Sequence, residues 1–107
     1  MNKHSVALKA LQDDFVKVSE VYGAKFNINR DDLWALGKLS EELGELTQAY
    51  LRLHGRARTA VNQTDLQLSL EDEVSDLLGM LLIFAKMQNV DVAQAVERKW
   101  LKYLPQE

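Results

Sequence analysis

One row of large apolar residues constrains the fold of this chain more than any other feature. Along this row the spacing alternates between three and four residues, through Leu36, Leu39, Leu43, Leu46, Tyr50 and Leu53. The alternation is typical of one face of an α-helix packed against a neighbour, whereas a half-buried strand repeats every two residues. The row therefore predicts a helix that begins after the N-cap Asp31 and continues to His54, with Gly55 as its end.

Three further segments show helical spacing, and each has residues that favour its start or its end. These segments are Ser5–Tyr22 ended by Gly23, Leu70–Gln88 capped by Ser69, and Val92–Leu104 capped by Asp91. On the last of them we expect Trp100 and Leu104 to face inward. The chain has one proline and five glycines. These residue types favour turns, and a protein made of strands would need more of them. The sequence therefore predicts an all-α fold.

The third predicted helix indicates that the fold must cover a large apolar surface. From Leu77 to Ala85 it is apolar almost all round, so it must be buried on more than one side. A chain of 107 residues has room for a single domain, residues 1–107, and its four segments favour a four-helix bundle. We expect dimerisation to complete this bundle, in a homodimer or a homotetramer. The alternative is a monomer in which the first and last helices cover the third.

Composition argues against several classes of partner. The net charge of −3 is opposite in sign to a nucleic-acid-binding surface. The apolar run Leu77–Ala85 is far shorter than the roughly 20 residues that cross a membrane, and the N-terminus lacks the apolar stretch of a secretory signal. With no cysteine, the chain offers neither disulfides nor thiolate ligands. We expect a cytoplasmic protein that binds neither nucleic acid nor membranes.

Two pairs of acidic residues border apolar rows. Glu42 and Glu45 lie one turn apart on the second helix, and Glu73 and Asp76 repeat that spacing on the third. If the two helices pack antiparallel, the four carboxylates converge, and neither burial nor mutual repulsion is tolerable without a cation among them. Because every ligand is a carboxylate oxygen, a hard ion is expected: Mg²⁺, or alternatively Mn²⁺.

Two stretches resemble a known family. They are Lys38–Leu46, which reads KLSEELGEL, and Leu70–Leu78, which reads LEDEVSDLL. In this order, Glu-x-x-Glu followed by Glu-x-x-Asp resembles the MazG-like nucleoside triphosphate pyrophosphohydrolases, of the all-α NTP pyrophosphatase superfamily. The resemblance covers about Leu33 to Tyr103. It implies Mg²⁺-dependent hydrolysis of a (deoxy)nucleoside triphosphate to a nucleoside monophosphate and pyrophosphate, by a dimer or tetramer.

The resemblance also implies roles for individual residues. The implied metal ligands are Glu42, Glu45, Glu73 and Asp76. A water molecule attacks the α-phosphorus, and Glu41 or Glu45 is the candidate base that accepts its proton.

Cationic and aromatic residues complete the expected site. Lys38, one turn before Glu42 on the same row, is placed to contact phosphates. Further candidate phosphate ligands are Arg98, Lys99 and Lys102 on the last helix, and Arg56 or Arg58 between the second and third helices. Trp34 and Phe26 are candidates for stacking on the base, although both residues are equally compatible with a core or an interface.

Two other interpretations remain open at this point. In the first, the chain is a non-catalytic helical module that binds a nucleotide or a protein through the same groove. In the second, it is a purely structural bundle, because Glu-x-x-Glu on a helix is common and is usually a solvated face. The enzyme predicts metal-dependent pyrophosphate release, the binding module predicts ligand binding without turnover, and the structural bundle predicts no response to metal.

Overall fold

A computed structural model describes residues 3–59 and 61–105, and within these ranges the chain is helical, with no strand. The elements are α1 (Lys3–Phe26), α2 (Asp32–Leu53), α3 (Gln63–Met87), α4 (Val92–Lys99) and a 3₁₀-helix (Leu101–Tyr103). The predicted all-α class is therefore confirmed. Among the described residues, no helix combines the length and the hydropathy needed to cross a membrane.

Helix α1 is longer than predicted at both ends. Gly23 does not end it but lies buried within it. The helix closes at Asn27, whose φ of 51° is left-handed, and the Ile28 N–H donates to the Gly23 carbonyl at 3.0 Å. Asparagine tolerates the left-handed region and can replace glycine in this kind of helix end. The expected glycine stop was wrong for that reason.

Helix α2 has the predicted boundaries. The Asp31 carboxylate accepts a hydrogen bond from the Trp34 N–H at 2.8 Å, which satisfies one of the free donors of the first turn. At the other end His54 is the C-cap and Gly55 has a φ of 69°. This left-handed conformation is the one that glycine adopts without strain.

Helix α3 begins at Gln63, seven residues before the start at Leu70 that a cap at Ser69 predicted. Asn62 caps it: its side-chain oxygen accepts from the Asp65 N–H at 2.9 Å, and its carbonyl accepts from the Leu66 N–H. Leu66 is buried, and this burial holds the added first turn in place. At the C-terminal end Asn89 is left-handed, with a φ of 57°.

The last predicted helix divides into two elements. The Asp91 carboxylate accepts from the Gln94 N–H at 3.0 Å, as a cap should, but α4 ends at Lys99 and the 3₁₀-helix follows. Trp100 is 70% exposed and Leu104 is also exposed. The expectation that these two side chains face inward was wrong.

The chain divides into two compact units, Met1–Asn29 with Leu82–Glu107, and Arg30–Leu81. In the first unit α1 contacts α4, and the Gln12 side chain donates to the Leu82 carbonyl at 2.9 Å. Leu82, Ile83, Ala85 and Ala93 are its buried apolar residues. This unit also contains a cavity of about 760 Å³ whose walls include Lys9, Lys86 and Asp91.

The second unit, Arg30–Leu81, holds α2 and the larger part of α3. The two helices run antiparallel, because Gln63 at the start of α3 donates to the Leu53 carbonyl at the end of α2 and Glu42, midway along α2, meets Glu73, midway along α3. Helix α2 buries a row of small residues, Ala35 and Ala49, with Glu42 midway between them. The leucine row was expected to pack, but Leu36 and Leu43 on it remain exposed.

Candidate metal centre

Glu42 lies in the most buried row of α2, one heptad after Ala35 and one before Ala49. Residues seven apart lie on nearly the same side of a helix, so Glu42 shares the buried side of α2 with these two alanines. The result is a glutamate that is only 8% exposed.

Three carboxylates from the two helices meet at this point. One oxygen each of Glu42, Glu73 and Asp76 can be chosen so that all three lie within 4.8 Å of one another. Glu42 is buried, Glu73 is half-buried and Asp76 is exposed, so the cluster opens to solvent on one side. Oxygens around an octahedral Mg²⁺ lie roughly 3–4 Å apart. Small side-chain movements would therefore bring the three oxygens to metal-binding distances.

Two carboxylate oxygens in the cluster are buried without a hydrogen bond. In the described part of the chain, neither Oε2 of Glu42 nor Oε2 of Glu73 has a donor within reach. Leaving a buried acceptor unsatisfied costs about 1–3 kcal/mol, and more if the group is charged. The arrangement thus favours a cation, a proton or both at this point.

Burial and mutual repulsion raise two carboxyl pKa values. Burial is the main reason that the pKa of Glu42 rises to about 7, and the charges of Glu45 and Asp76 add to it, while Lys38 acts in the opposite direction. For Glu73, burial again comes first and the charges of Glu45 and Asp76 follow, so its pKa also lies above the ordinary value.

Glu45, the fourth predicted ligand, lies beside the cluster. It is exposed, and it is not among the three residues whose oxygens converge. Its charge acts on both Glu42 and Glu73, and its carboxyl can share a hydrogen bond with either of them when one carries a proton. An exposed carboxylate beside a cluster that could hold a metal ion is suited to accept a proton from a water molecule there.

Lys38 is the cation nearest to these acids for which the structure gives contacts. Its ammonium lies 3.1 Å from Oε1 of Glu41 and 3.9 Å from Oε1 of Glu42. Burial alone would lower the pKa of Lys38, but the hydrogen bond to Glu41 and the charges of Glu41, Glu42 and Glu45 raise it. Glu41, the other candidate base, is thus paired with Lys38, and its side chain is more than half exposed.

The remaining candidates for substrate binding are divided between the two units. Trp34 is half-buried in the first turn of α2, in the same unit as the acids, and Arg56 and Arg58 are exposed in the following connection. Phe26 belongs to the other unit, where its exposed ring lies 4.6 Å from that of Tyr22. Arg98, Lys99 and Lys102 are exposed residues of that other unit as well. Their roles as substrate contacts remain predictions.

The sequence carried one signal that the leucine spacing obscured. Ala35, Glu42 and Ala49 follow each other at seven-residue intervals, and this row is the one that α2 buries. Comparisons with protein families, with curated proteins and with solved structures found no match for this chain.

Proposed function

We propose that this protein is a Mg²⁺-dependent pyrophosphohydrolase that converts a (deoxy)nucleoside triphosphate to a nucleoside monophosphate and pyrophosphate. One observation carries the proposal: oxygens of Glu42, Glu73 and Asp76 lie within 4.8 Å of one another, and two carboxylate oxygens of this cluster are buried without a hydrogen bond. The resemblance of the two acidic motifs to the MazG-like enzymes supports the choice of reaction.

The donor set fits a hard divalent cation. Glu42, Glu73 and Asp76 would hold it through oxygen atoms, with Glu45 at the edge, and no histidine or cysteine competes for a softer metal in this cluster. When bound, Mg²⁺, or Mn²⁺ in its place, would supply neutralisation of the phosphate charges and a lower pKa for a water molecule.

The chain's own residues would then position and move the reacting groups. Glu45 accepts a proton from water, the water oxygen forms a bond to the α-phosphorus, and the bond from that phosphorus to the bridging oxygen breaks. Pyrophosphate leaves with the electron pair of the broken bond. Lys38, whose ammonium lies 3.9 Å from Oε1 of Glu42, is the candidate cation for a phosphate oxygen. The homodimer or homotetramer and the cytoplasmic location belong to the same proposal, since the proposed substrates are cytoplasmic metabolites.

Pyrophosphate release tests this proposal. Incubation of the purified protein with Mg²⁺ and a panel of ribo- and deoxyribonucleoside triphosphates is expected to yield pyrophosphate, and EDTA is expected to abolish it. Glu42→Gln and Asp76→Asn should each lower the rate by a factor of about 100 or more, the scale of losing one preorganised charged group.

Glu71→Gln is the matched control for these variants. Glu71 is exposed on α3 and accepts a hydrogen bond from Gln67 at 3.1 Å, outside the acid cluster. The rate of pyrophosphate release by Glu71→Gln should equal that of the wild type. Failure of every triphosphate to release pyrophosphate would contradict the proposed activity. A rise in melting temperature with Mg²⁺ and a nucleotide but without turnover would favour the non-catalytic binding module.

A further inference from the structure

A polar cavity of about 760 Å³ lies in the first unit, Met1–Asn29 with Leu82–Glu107. Residues of α1, of the end of α3 and of the start of α4 line it, and we term it the lysine cavity after Lys9 and Lys86 in its walls. Its volume falls within the roughly 300–1,000 Å³ of pockets that hold small molecules. None of its lining residues belongs to the acid cluster. The lysine cavity is therefore a separate candidate site.

One side of α1 forms a polar wall of this cavity. Ser5, Lys9 and Gln12 are four and three residues apart, so they lie on the same side of the helix, and all three line the cavity. The Gln12 amide donates to the Leu82 carbonyl of α3 at 2.9 Å. This hydrogen bond joins α1 to α3 beside the cavity.

A second wall is the turn that leads from α3 into α4. The Val90 N–H donates to the Ala85 carbonyl at 2.9 Å, and the Asp91 carboxylate accepts from the Gln94 N–H at 3.0 Å. Because these bonds tie the turn to both helices, the wall is ordered without a ligand.

The charged groups of the cavity differ in whether they already have partners. Among the described residues, no carboxylate forms an ion pair with Lys9 or Lys86. Asp91 and Glu97 also line the cavity, but Asp91 caps α4 and Glu97 has an interaction of its own. The charge that is left to recognise a ligand is therefore positive.

Two backbone donors supplement the two ammonium groups. At the start of α4 the N–H groups of Gln94 and Ala95 are satisfied by Asp91. The N–H groups of Val92 and Ala93, both lining residues, have no backbone acceptor within the described part of the chain. Donors of this kind interact favourably with a negative group.

Charge and volume together favour a phosphate monoester as the ligand. Its phosphate carries about −1.5 to −2 charges near pH 7, which two lysines balance, whereas a carboxylate carries a single charge. A bare phosphate ion would occupy only a small part of the cavity. The side-chain amides of Gln12, Asn89 and Gln94, which line it, can form hydrogen bonds with a polar body attached to the phosphate.

We propose that the lysine cavity binds a phosphorylated small metabolite, a nucleoside monophosphate or a sugar phosphate, whose phosphate is held by Lys9 and Lys86. The ammonium groups neutralise the phosphate, and the polar side chains of the walls contact the rest of the molecule. This inference goes beyond the proposed function and does not rest on it, because the cavity and the acid cluster share no residue.

Isothermal titration calorimetry in EDTA tests the site, because EDTA keeps the acid cluster free of metal. The probes are adenosine 5′-monophosphate, ribose 5-phosphate and inorganic phosphate, with adenosine and ribose as counterparts without phosphate. At least one ester is expected to bind about tenfold or more tightly than its counterpart. Lys9→Gln and Lys86→Gln should each weaken that binding by a factor of about ten or more, the scale of losing one hydrogen bond to a charged group.

Lys17→Gln is the matched control for these variants. Lys17 is an exposed lysine of α1, about two turns after Lys9, and it does not line the cavity. Its replacement should leave the affinity unchanged. Since Lys9 and Lys86 are exposed as well, their variants should fold like the wild type, and circular dichroism checks this.

Several results would overturn the inference: no binding of any probe at millimolar concentration, equal binding of an ester and its counterpart, or unchanged affinity in both lysine variants. A loss in Lys17→Gln as large as that in Lys9→Gln would also overturn it, because the attraction would then come from the general charge of α1. Inorganic phosphate that binds as tightly as both esters would overturn the assignment of an ester.

The lysine cavity and the acid cluster can be tested separately. Pyrophosphate release should persist in Lys9→Gln and Lys86→Gln, and binding of the ester should persist in Glu42→Gln. Failure of the metal site and failure of the cavity are therefore distinguishable.

Discussion

At the scale of single residues, Glu42 decides what the acid cluster can do. It is the one charged residue among the described part of the chain that is buried, and one of its oxygens has no hydrogen-bond donor. A carboxyl in this position is destabilised when ionised. Metal binding and protonation therefore compete to neutralise the same group.

This competition predicts how stability depends on pH in the metal-free protein. The folded pKa of Glu42, about 7, lies above its ordinary value of 4.5, so the folded state favours the protonated form. The contribution of protonated Glu42 to stability is fully present below pH 4.5, is lost as pH rises from 4.5 to about 7, and is absent at higher pH. Glu73, whose pKa is also raised, acts in the same direction.

The substitution Glu42→Gln should remove most of this loss of stability at higher pH. At pH 8 without metal, we expect the variant to exceed the wild type in free energy of unfolding by about 1–3 kcal/mol, and at pH 4 the difference should be small. Thermal melts of both proteins across this pH range measure it. A variant that is less stable than the wild type at pH 8 in EDTA would show that the ion pair of Glu42 with Lys38, at 3.9 Å, outweighs the cost of burying the carboxylate.

At the scale of helices and turns, the buried row of α2 differs from its leucine row. The leucine spacing correctly predicted a helix, and Asp31 and Gly55 correctly predicted its ends. The spacing did not identify the buried row, because periodicity alone does not show which side of a helix meets its neighbours. The end of α1, which depends on Asn27 in the left-handed conformation, was also missed.

Gly37 and Gly55, both in the second unit, are expected to change stability in opposite directions when each is replaced by alanine. Gly37 lies inside α2 and a Cβ there would meet nothing within 4 Å, whereas Gly55 has a φ of 69°. Gly37→Ala should raise the free energy of unfolding by about 0.5–1 kcal/mol through reduced backbone entropy. Gly55→Ala should lower it by about 1–2 kcal/mol, because a Cβ is strained in the left-handed region.

Urea denaturation at fixed Mg²⁺ concentration measures both changes. Neither residue contributes a side chain to the acid cluster, so pyrophosphate release serves as the control for an intact site. Stabilisation by both alanines would mean that the turn after α2 does not need its left-handed residue.

At the scale of the whole molecule, the proposed homodimer or homotetramer links stability to protein concentration. If folding and association are coupled, the melting temperature must rise as the protein is concentrated. Leu43 is an exposed leucine of α2, so we expect this rise in the wild type and a smaller rise in Leu43→Glu. A melting temperature that is independent of concentration in the wild type would contradict the proposed assembly.

The sequence by itself determined the helical class, the boundaries of α2 and the cap of α4, because these depend on local spacing and on hydrogen bonds within a few residues. It also indicated which acids to examine, since residues three apart on a helix must share a face.

Only the tertiary structure decided how those acids are arranged. It brought Glu42 together with Glu73 and Asp76, placed Glu45 beside them, and left Leu43 exposed while Glu42 was buried. The physical reason is that burial depends on how closely two helices approach. That approach is determined by residues distant in the sequence, whereas periodicity describes each helix alone.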